Sequence, residues 1–134
     1  MYYNSAFQIN PIINYNIPFQ FIDIIYKEAF MNEYTFIVNP NSRSGLGYRL
    51  WKQIEPVLKE RTVNYEVHFT KYRRHATKLV RELTSDGKHH TIIVVGGDGT
   101  INEVVNGIHS LSKATLGYIP TGSSNDFARS LRLP

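Results

Sequence analysis

The spacing of apolar residues changes repeatedly along the chain from residue 34 onward. Runs of apolar and β-branched residues predict strands, and apolar residues at helical spacing predict helices between them. The predicted strands are 34–39, 64–70, 91–95 and 116–119, and the predicted helices are 48–60, 76–84, 100–111 and 125–131. Each strand is followed by a helix, so the pattern indicates consecutive β-α units.

The third predicted strand, 91–95, is a continuous apolar run, which is typical of a strand buried on both faces of a sheet. With the strand–helix alternation, it predicts fold class α/β: a Rossmann-like, open, mostly parallel sheet with helices on both faces. Pro56 falls inside the first predicted helix, where it predicts a kink or a break because proline lacks a backbone N–H.

Residues 1–30 differ from the rest of the chain, being rich in Asn, Ile, Tyr, Phe and Gln with only three charged side chains. They have neither the basic start nor the continuous apolar stretch of a secretory signal. Apolar spacing in 21–30 predicts a short amphipathic helix. A leader added upstream, a packing element and a membrane or partner contact all remain open for this N-terminal extension. We assign it no chemistry and take 31–134 as the α/β domain.

Composition fits one folded domain, and the absence of cysteine excludes disulfides and thiolate metal sites. The formal net charge of +4 suits anionic partners such as phosphates or an acidic membrane surface. The densest basic cluster, at 71–74, indicates either a solvated loop or a contact with lipid headgroups or nucleotide phosphate.

No basic stripe with stacking residues accompanies the charge, so we expect no nucleic-acid partner. No apolar run approaches the roughly 20 residues that span a bilayer, so any membrane contact is expected to be peripheral.

The most informative segment is Gly-Gly-Asp-Gly-Thr at 96–100, directly after the third strand. Glycines permit unusual backbone conformations and close approach of a ligand. The helix that follows offers unpaired N–H groups and a positive dipole end to an anion. Thr100 and Glu103 have the spacing of a capping box, which predicts a helix start at Thr100. The segment therefore predicts a phosphate cradle.

Asp98 is the discordant residue of this cradle, because a carboxylate repels a phosphate at low dielectric. A Mg²⁺ ion or a water network between the two groups would remove the conflict. A second solution is that Asp98 accepts a proton from a substrate hydroxyl. An ordinary Asp-Gly turn without a ligand is the structural alternative.

Two further polar loops follow the first and fourth predicted strands, at 39–47 and 120–129. In the second of these, Gly122 gives backbone freedom, Ser123 offers a hydroxyl, and a polar residue is available to cap the next helix. Ligands bind at the carboxyl ends of the strands in open α/β sheets, and all three loops are predicted there.

These three loops together resemble the diacylglycerol kinase catalytic domain family, which includes bacterial lipid kinases and the sphingosine and ceramide kinases. The sequence at 96–100 continues as Ile-Asn-Glu-Val-Val-Asn-Gly, and this continuation favours lipid kinases over the NAD kinases and phosphofructokinases that share Gly-Gly-Asp-Gly. The segment 120–129 is similar to the family pattern P-x-G-T-x-N-D-F-A-R, with Ser123 in place of Thr. The segment 39–47 is similar to N-P-x-S-G, although its Ser-to-Gly step is displaced. Residues 72–76 depart from the usual Pro-Gly-His-Ala.

The resemblance implies an ATP-dependent lipid kinase that transfers the γ-phosphate of ATP to a lipid hydroxyl such as that of diacylglycerol. It implies ATP and Mg²⁺ as cofactors, and a cytoplasmic enzyme that is peripheral at an anionic membrane. Asp98 would be the catalytic residue and would hold Mg²⁺ through water. The implied nucleotide-binding residues are Asn39, Ser42, Ser44, Gly45, Thr70, Gly96, Gly97, Asp98, Gly99, Thr100, Asn102, Glu103, Gly122, Ser123, Asn125 and Asp126. The displaced motif leaves open whether Ser42 or Ser44 faces the nucleotide.

A second, mainly β domain normally follows in this family and brings lipid-site residues. The resemblance therefore implies that this chain, without that C-terminal β domain, is the nucleotide-binding half and phosphorylates little or no lipid alone. An NAD kinase-like enzyme and a non-catalytic nucleotide-binding or interaction module remain as alternatives. The lipid and the presence of a homodimer are left open. His89 and His90 indicate either an exposed turn or a metal pair.

Overall fold

The computed structural model describes residues 33–121, which form a four-stranded sheet with three helices. The strands are β1 (Tyr34–Val38), β2 (Tyr65–Phe69), β3 (His90–Gly96) and β4 (Ala114–Pro120). The helices are α1 (Ser42–Glu60), α2 (His75–Leu83) and α3 (Asp98–Gly107), with 3-10 turns at Thr84–Asp86 and Leu111–Lys113. The extension at 1–30 and the helix predicted at 125–131 lie outside the described residues. Within 33–121, no helix is both long and apolar enough to cross a membrane.

The four strands are all parallel and lie in the order β2-β1-β3-β4. Val38 at the end of β1 pairs with Phe69 on one side and Val95 on the other. The carboxyl ends of the strands therefore lie along one edge. The chain builds the sheet outward from β1 in one direction and from β3 in the other. The β1–β3 junction is thus a topological switch point, where open α/β sheets leave a crevice for a ligand.

Apolar side chains fill both faces of the sheet, which confirms the predicted α/β class with helices on both sides. On one face, α1 packs Leu50, Trp51 and Ile54 against Phe36 of β1. On the other face, α2 and α3 cover a second cluster that includes fully buried residues of β3 and β4. The members of that cluster include Val80, Ile92, Val94, Ile101, Val104, Leu116 and Tyr118. β1 and β3 are central strands, which is why their sequences lack an alternating polar side.

The kink or break predicted at Pro56 is wrong, because α1 keeps helical backbone angles through this residue to Glu60. Pro56 lies on the exposed side of the helix, so the carbonyl that loses its helical partner is on the solvent side. The neighbouring Ile54 and Leu58 are buried and anchor the helix on the sheet. Packing of the apolar face outweighs one missing hydrogen bond at this position.

The interruption of α1 lies instead at its beginning, where three successive residues have left-handed backbone angles. Arg43, Ser44 and Gly45 have φ values of 47, 56 and 91°. Such angles are uncommon for residues with a Cβ. Arg49 Nη1 donates a hydrogen bond to the Ser44 carbonyl oxygen at 3.1 Å, which stabilises the turn. Regular helix begins after this turn, close to the predicted start at residue 48.

α3 begins and ends earlier than its sequence predicts. Gly97 is its N-cap, and no side chain caps the helix there, so the capping box predicted for Thr100 and Glu103 is wrong. Thr100 is the third helical residue and is buried. The helix ends at Gly107, where a Cβ would stand 2.5 Å from the Thr77 carbonyl oxygen of α2. Close contact between the two helices therefore sets the position of this glycine.

Candidate active site

Backbone hydrogen bonds bring the ends of all four strands together at one edge. The Asn39 N–H donates to the Val95 carbonyl at 2.9 Å, which continues the β1–β3 pairing into the loops. The N–H of Thr70 donates to the Val38 carbonyl at 2.9 Å, and that of Thr121 donates to the Gly96 carbonyl at 2.8 Å. The three polar loops singled out in the sequence therefore start from one continuous row of strand ends.

The glycines at 96–99 are explained by the space that a missing side chain leaves for neighbouring atoms, and not by unusual backbone angles. None of Gly96, Gly97 and Gly99 has a left-handed φ, and Gly97 is extended, so that part of the sequence interpretation is wrong. A Cβ on Gly96 would stand 2.7 Å from the Thr100 side chain, so Gly96 makes room for Thr100. A Cβ on Gly99 would meet no atom of residues 33–121 within 4 Å. Among these residues, the first turn of α3 therefore has open space above Gly99.

Asn39 connects the loop after β1 to the glycine loop. Its Nδ2 donates to Thr100 Oγ1 at 3.3 Å, and its Oδ1 accepts the Asn41 N–H at 3.1 Å. Its carbonyl oxygen lies directly over Gly47 of α1, where a Cβ would stand only 2.0 Å away. Asn39 is thus held by contacts with both α1 and α3. Its role in nucleotide binding stays a prediction.

Asp98 is the first residue of α3, at the positive end of the helix dipole. The hydroxyl of Tyr118 donates to its Oδ1 at 3.4 Å. Tyr118 is fully buried on β4, so its ring is fixed by the core while its hydroxyl reaches the site. Tyr118 was not among the residues predicted from the sequence. The available signal was a tyrosine in an otherwise apolar strand, because a buried tyrosine hydroxyl generally needs a polar partner.

The Asp98 carboxylate is a ligand of the type that Mg²⁺ accepts. Mg²⁺ is usually bound through one or two carboxylates and substrate phosphates, and it keeps several waters. Asp98 supplies one such carboxylate at the start of α3. Within the described part of the chain, no group of three or more His, Cys, Asp or Glu residues could hold a metal.

The two candidate serines after β1 lie in different environments. Ser42 is buried, and its Oγ hydrogen-bonds Thr121 Oγ1 at the end of β4. Ser44 is exposed, and Gly45 beside it is half-buried. Ser42 therefore joins the first and fourth strand ends, whereas the Ser44 side chain lies at the protein surface.

A cavity of about 230 Å³ opens beside Asn39 and Thr100. Thr70 and Glu103 also line it, so the structure brings together four of the predicted nucleotide-binding residues. The loop between β2 and α2 forms another wall. Asn102 is exposed on α3 and does not line this cavity. The predicted residues Gly122, Ser123, Asn125 and Asp126 lie outside the described residues.

His89 and His90, at the start of β3, lie at the amino-terminal edge of the sheet, away from this cavity. His90 Nε2 donates to Asp86 Oδ1 at 2.8 Å, and His89 Nε2 hydrogen-bonds Thr115 Oγ1 at 3.0 Å. The hydrogen bond from His90, followed by that from the Lys88 N–H, lowers the pKa of the Asp86 carboxyl. These contacts account for both imidazoles as parts of a surface turn.

Comparisons with known proteins agree with this geometry. A sequence model of the family described as "Diacylglycerol kinase catalytic domain" matches residues 33–134. "Diacylglycerol kinase" of Bacillus subtilis (strain 168) is 37% identical over 105 residues, which cover 78% of this chain and 34% of that protein. "Sphingosine kinase 1" of Arabidopsis thaliana is 31% identical over 104 residues, covering 72% of this chain and 21% of that protein.

A crystal structure of a diacylglycerol kinase from Bacillus anthracis str. Sterne has the same fold, with a TM-score of 0.61 and 36% sequence identity. The match covers 77% of this chain and 38% of that chain. This protein thus spans about a third of the length of its Bacillus relatives. The strand-end loops, the glycine loop at the switch point and these matches lead to one conclusion: the chain belongs to the diacylglycerol kinase catalytic domain family.

Proposed function

We propose that this chain binds ATP and is the nucleotide-binding part of an ATP-dependent lipid kinase. The reaction would transfer the γ-phosphate to a lipid hydroxyl, such as that of diacylglycerol. Family membership supports the class of reaction. The observation that carries the proposal for this chain is the open glycine loop, Gly96–Gly99, beside the cavity at the β1–β3 switch point.

Phosphate would be held at the first turn of α3. The first N–H groups of any helix have no intrahelical partner, and they carry the positive end of its dipole. In α3 the first hydrogen bond of the ladder runs from the Ile101 N–H to the Gly97 carbonyl at 3.2 Å. Because Gly99 has no side chain, a phosphate oxygen can approach this turn closely. The loop would therefore bind by backbone groups rather than by cationic side chains.

Asp98 would hold the Mg²⁺ ion that neutralises the negative charge of the phosphate at this turn. Bound Mg²⁺ supplies charge neutralisation of the phosphate oxygens during phosphoryl transfer. The Asp98 carboxylate would hold that ion through water, with its orientation fixed by the Tyr118 hydroxyl. In the alternative role, the same carboxylate would accept a proton from an attacking hydroxyl, as a general base does. Both roles need the ionised form of Asp98.

We also propose a cytoplasmic protein that contacts an anionic membrane peripherally. The segments 39–54 and 70–81 contain eight Lys and Arg residues and no carboxylate. They follow β1 and β2, so their first residues lie at the edge that carries the site. The exposed cations among them include Arg49, Lys52, Lys71, Arg73 and Arg74, which we call the basic surface. A lipid substrate lies in a membrane, and this surface would bring the site to it.

Substitution of Gly99 by alanine tests the nucleotide site without disturbing the fold. The added methyl group meets no atom of residues 33–121 within 4 Å, so we expect stability to stay equal or rise by up to about 1 kcal/mol. If phosphate approaches this turn, the same methyl group should weaken Mg·ADP binding at least tenfold. Isothermal titration calorimetry would measure the affinity, and urea denaturation would measure the stability.

Asn106→Ala is the matched control, because Asn106 is exposed on the last turn of the same helix. It should leave Mg·ADP binding unchanged. Equal affinity of Gly99→Ala and the parent chain would refute a phosphate cradle at this turn. Displacement of ADP by NAD at lower concentration than by ATP would favour the NAD kinase-like alternative. No binding of any nucleotide would favour a non-catalytic interaction module.

A further inference from the structure

Tyr72 is an unusually exposed aromatic residue in the wall of the candidate site. Tyr72 is 57% exposed, whereas Tyr34 and Tyr118 of the sheet are fully buried. It lies in the loop between β2 and α2 and lines the 230 Å³ cavity together with Thr70, Asn41 and Glu103. The roles proposed for the glycine loop and for Asp98 concern phosphate, and they give no function to an aromatic ring in this wall.

The ring of Tyr72 is held in one orientation by the loop around it. It stacks on the His75 ring with centroids 4.3 Å apart and planes 16° apart. The His75 ring is itself fixed, because the Lys71 N–H donates to its Nδ1 at 2.9 Å. The N–H of His75 donates to the Tyr72 carbonyl at 3.1 Å, which closes the turn. The stack is therefore preorganised, with one face of Tyr72 covered by His75.

An aromatic ring such as that of Tyr72 binds the base of a nucleotide better than its phosphates. Its π-system is electron-rich at the face, so it does not attract a phosphate but does stack on a nucleobase. The cavity is also smaller than the 300–1,000 Å³ typical of sites that enclose a whole drug-sized ligand. It is therefore large enough for one portion of a nucleotide, and its lining includes the cations Lys71 and Arg73 as well as Tyr72.

We propose that Tyr72, supported by His75, is the stacking platform for the nucleobase. This inference rests on the proposed nucleotide-binding function and specifies how the base is held. Thr100 lines the cavity and also belongs to the first turn of α3, so the base region and the phosphate region adjoin. Stacking on an aromatic face tolerates different bases, so the platform adds affinity for nucleotides rather than selection of adenine by hydrogen bonds.

The test compares a ligand that has a base with one that has only phosphates. Calorimetric titrations with Mg·ADP and with Mg·tripolyphosphate would be made on the parent chain, Tyr72→Ala and Tyr72→Phe. Tyr72→Ala should weaken ADP binding by about five- to a hundredfold, the range found for removal of a base-stacking residue. Its tripolyphosphate binding should stay within twofold of the parent. Tyr72→Phe keeps the aromatic face and should restore ADP binding to within threefold.

Failure of the platform can be told apart from failure of the nucleotide site. If ADP binds the parent chain and Tyr72→Ala equally well, the platform is refuted while the nucleotide site remains. If Tyr72→Ala weakens ADP and tripolyphosphate by the same factor, the loop contacts phosphate instead, and the base-stacking role is again refuted. If Gly99→Ala leaves both ligands unaffected, the proposed phosphate site itself is wrong. Because Tyr72 is exposed, its replacement should leave the urea midpoint unchanged.

Discussion

At the scale of single residues, Gly47 near the start of α1 and Gly99 in the first turn of α3 have opposite surroundings. A Cβ on Gly47 would stand 2.0 Å from the carbonyl oxygen of Asn39, which is backbone and cannot rotate away. A Cβ on Gly99 would meet no atom within 4 Å in the part of the chain that the structure describes. Gly47 is therefore required by the fold, whereas packing among these residues does not require a glycine at position 99. The space above Gly99 is what a bound phosphate would use.

Gly47→Ala should accordingly destabilise the protein by at least about 2 kcal/mol, because overpacking against fixed backbone forces α1 away from the end of β1. Urea denaturation monitored by the fluorescence of Trp51 would measure the loss, since this tryptophan is buried on the same helix. Gly99→Ala is the matched control and should show no loss. A decrease below about 0.5 kcal/mol for Gly47→Ala would contradict the close approach of α1 to Asn39.

At the scale of elements, β2 is an edge strand whose attachment to α1 includes a partly buried hydrogen bond. The hydroxyl of Tyr65 donates to Glu55 Oε2 at 2.8 Å. The Tyr65 ring also lies 5.8 Å from Trp51 and 6.2 Å from Phe36, both in edge-to-face arrangements. Burial first, and then the hydrogen bond to Glu55, raise the pKa of Tyr65 from 10.0 to about 12. The protonated phenol is therefore the form that holds the edge strand.

This raised pKa predicts a loss of stability at alkaline pH. Between pH 10 and 12 the unfolded chain releases the Tyr65 proton and the folded protein keeps it, so stability falls as the pH rises through this range. Below pH 10 the contribution of Tyr65 is fully present. Tyr65→Phe should lower stability at pH 8 by about 1 kcal/mol and should reduce the alkaline decrease. Urea denaturation at pH 8, 10 and 11 would measure both effects.

Tyr48→Phe serves as the comparison, because Tyr48 is an exposed tyrosine on the same helix. It should follow the parent chain at every pH. If Tyr65→Phe showed the same pH dependence as the parent, the Tyr65–Glu55 hydrogen bond would not govern the attachment of β2.

At the scale of the whole molecule, exposed cations follow both β1 and β2. Lys71 and Arg73 line the cavity of the candidate site, whereas Arg49 and Lys52 lie on α1. Tyr48 is an exposed aromatic ring on α1, with the Lys52 ammonium 5.6 Å from the ring centroid. Amphipathic rings and cations are the side chains that favour a membrane interface.

Replacement of Arg73 and Arg74 by glutamine should therefore weaken binding to anionic vesicles by about thirtyfold, since each cation near such a surface contributes about 1 kcal/mol. Sedimentation with vesicles of phosphatidylcholine and phosphatidylglycerol would measure the partition coefficient. Binding to the parent chain should also weaken as salt is raised. Lys59→Gln/Lys88→Gln removes the same charge at exposed positions elsewhere and is the control. Equal losses for both double variants would indicate a net-charge effect without a defined surface.

The positions of the elements were more predictable than their ends. Strand positions could be predicted because a run of buried β-branched residues such as 91–95 fits a central strand better than a loop or a surface helix. Helix ends could not, because they depend on contacts between elements: α3 ends where Gly107 meets α2, and regular helix in α1 follows the left-handed turn at Arg43–Gly45. The prediction at Pro56 failed for the same reason, since burial of Ile54 and Leu58 stabilises the helix around it.

The sequence by itself determined the class of fold and the chemistry of the loops, because strand periodicity, glycine spacing and the polar residues after each strand are local properties. It could not assign partners to those residues. Only the tertiary structure joined Ser42 to Thr121, placed the Tyr118 hydroxyl on Asp98 and brought Tyr72 to the same cavity as Thr100 and Glu103. These residues are separated along the chain, and the order of strands in the sheet decides which of them meet.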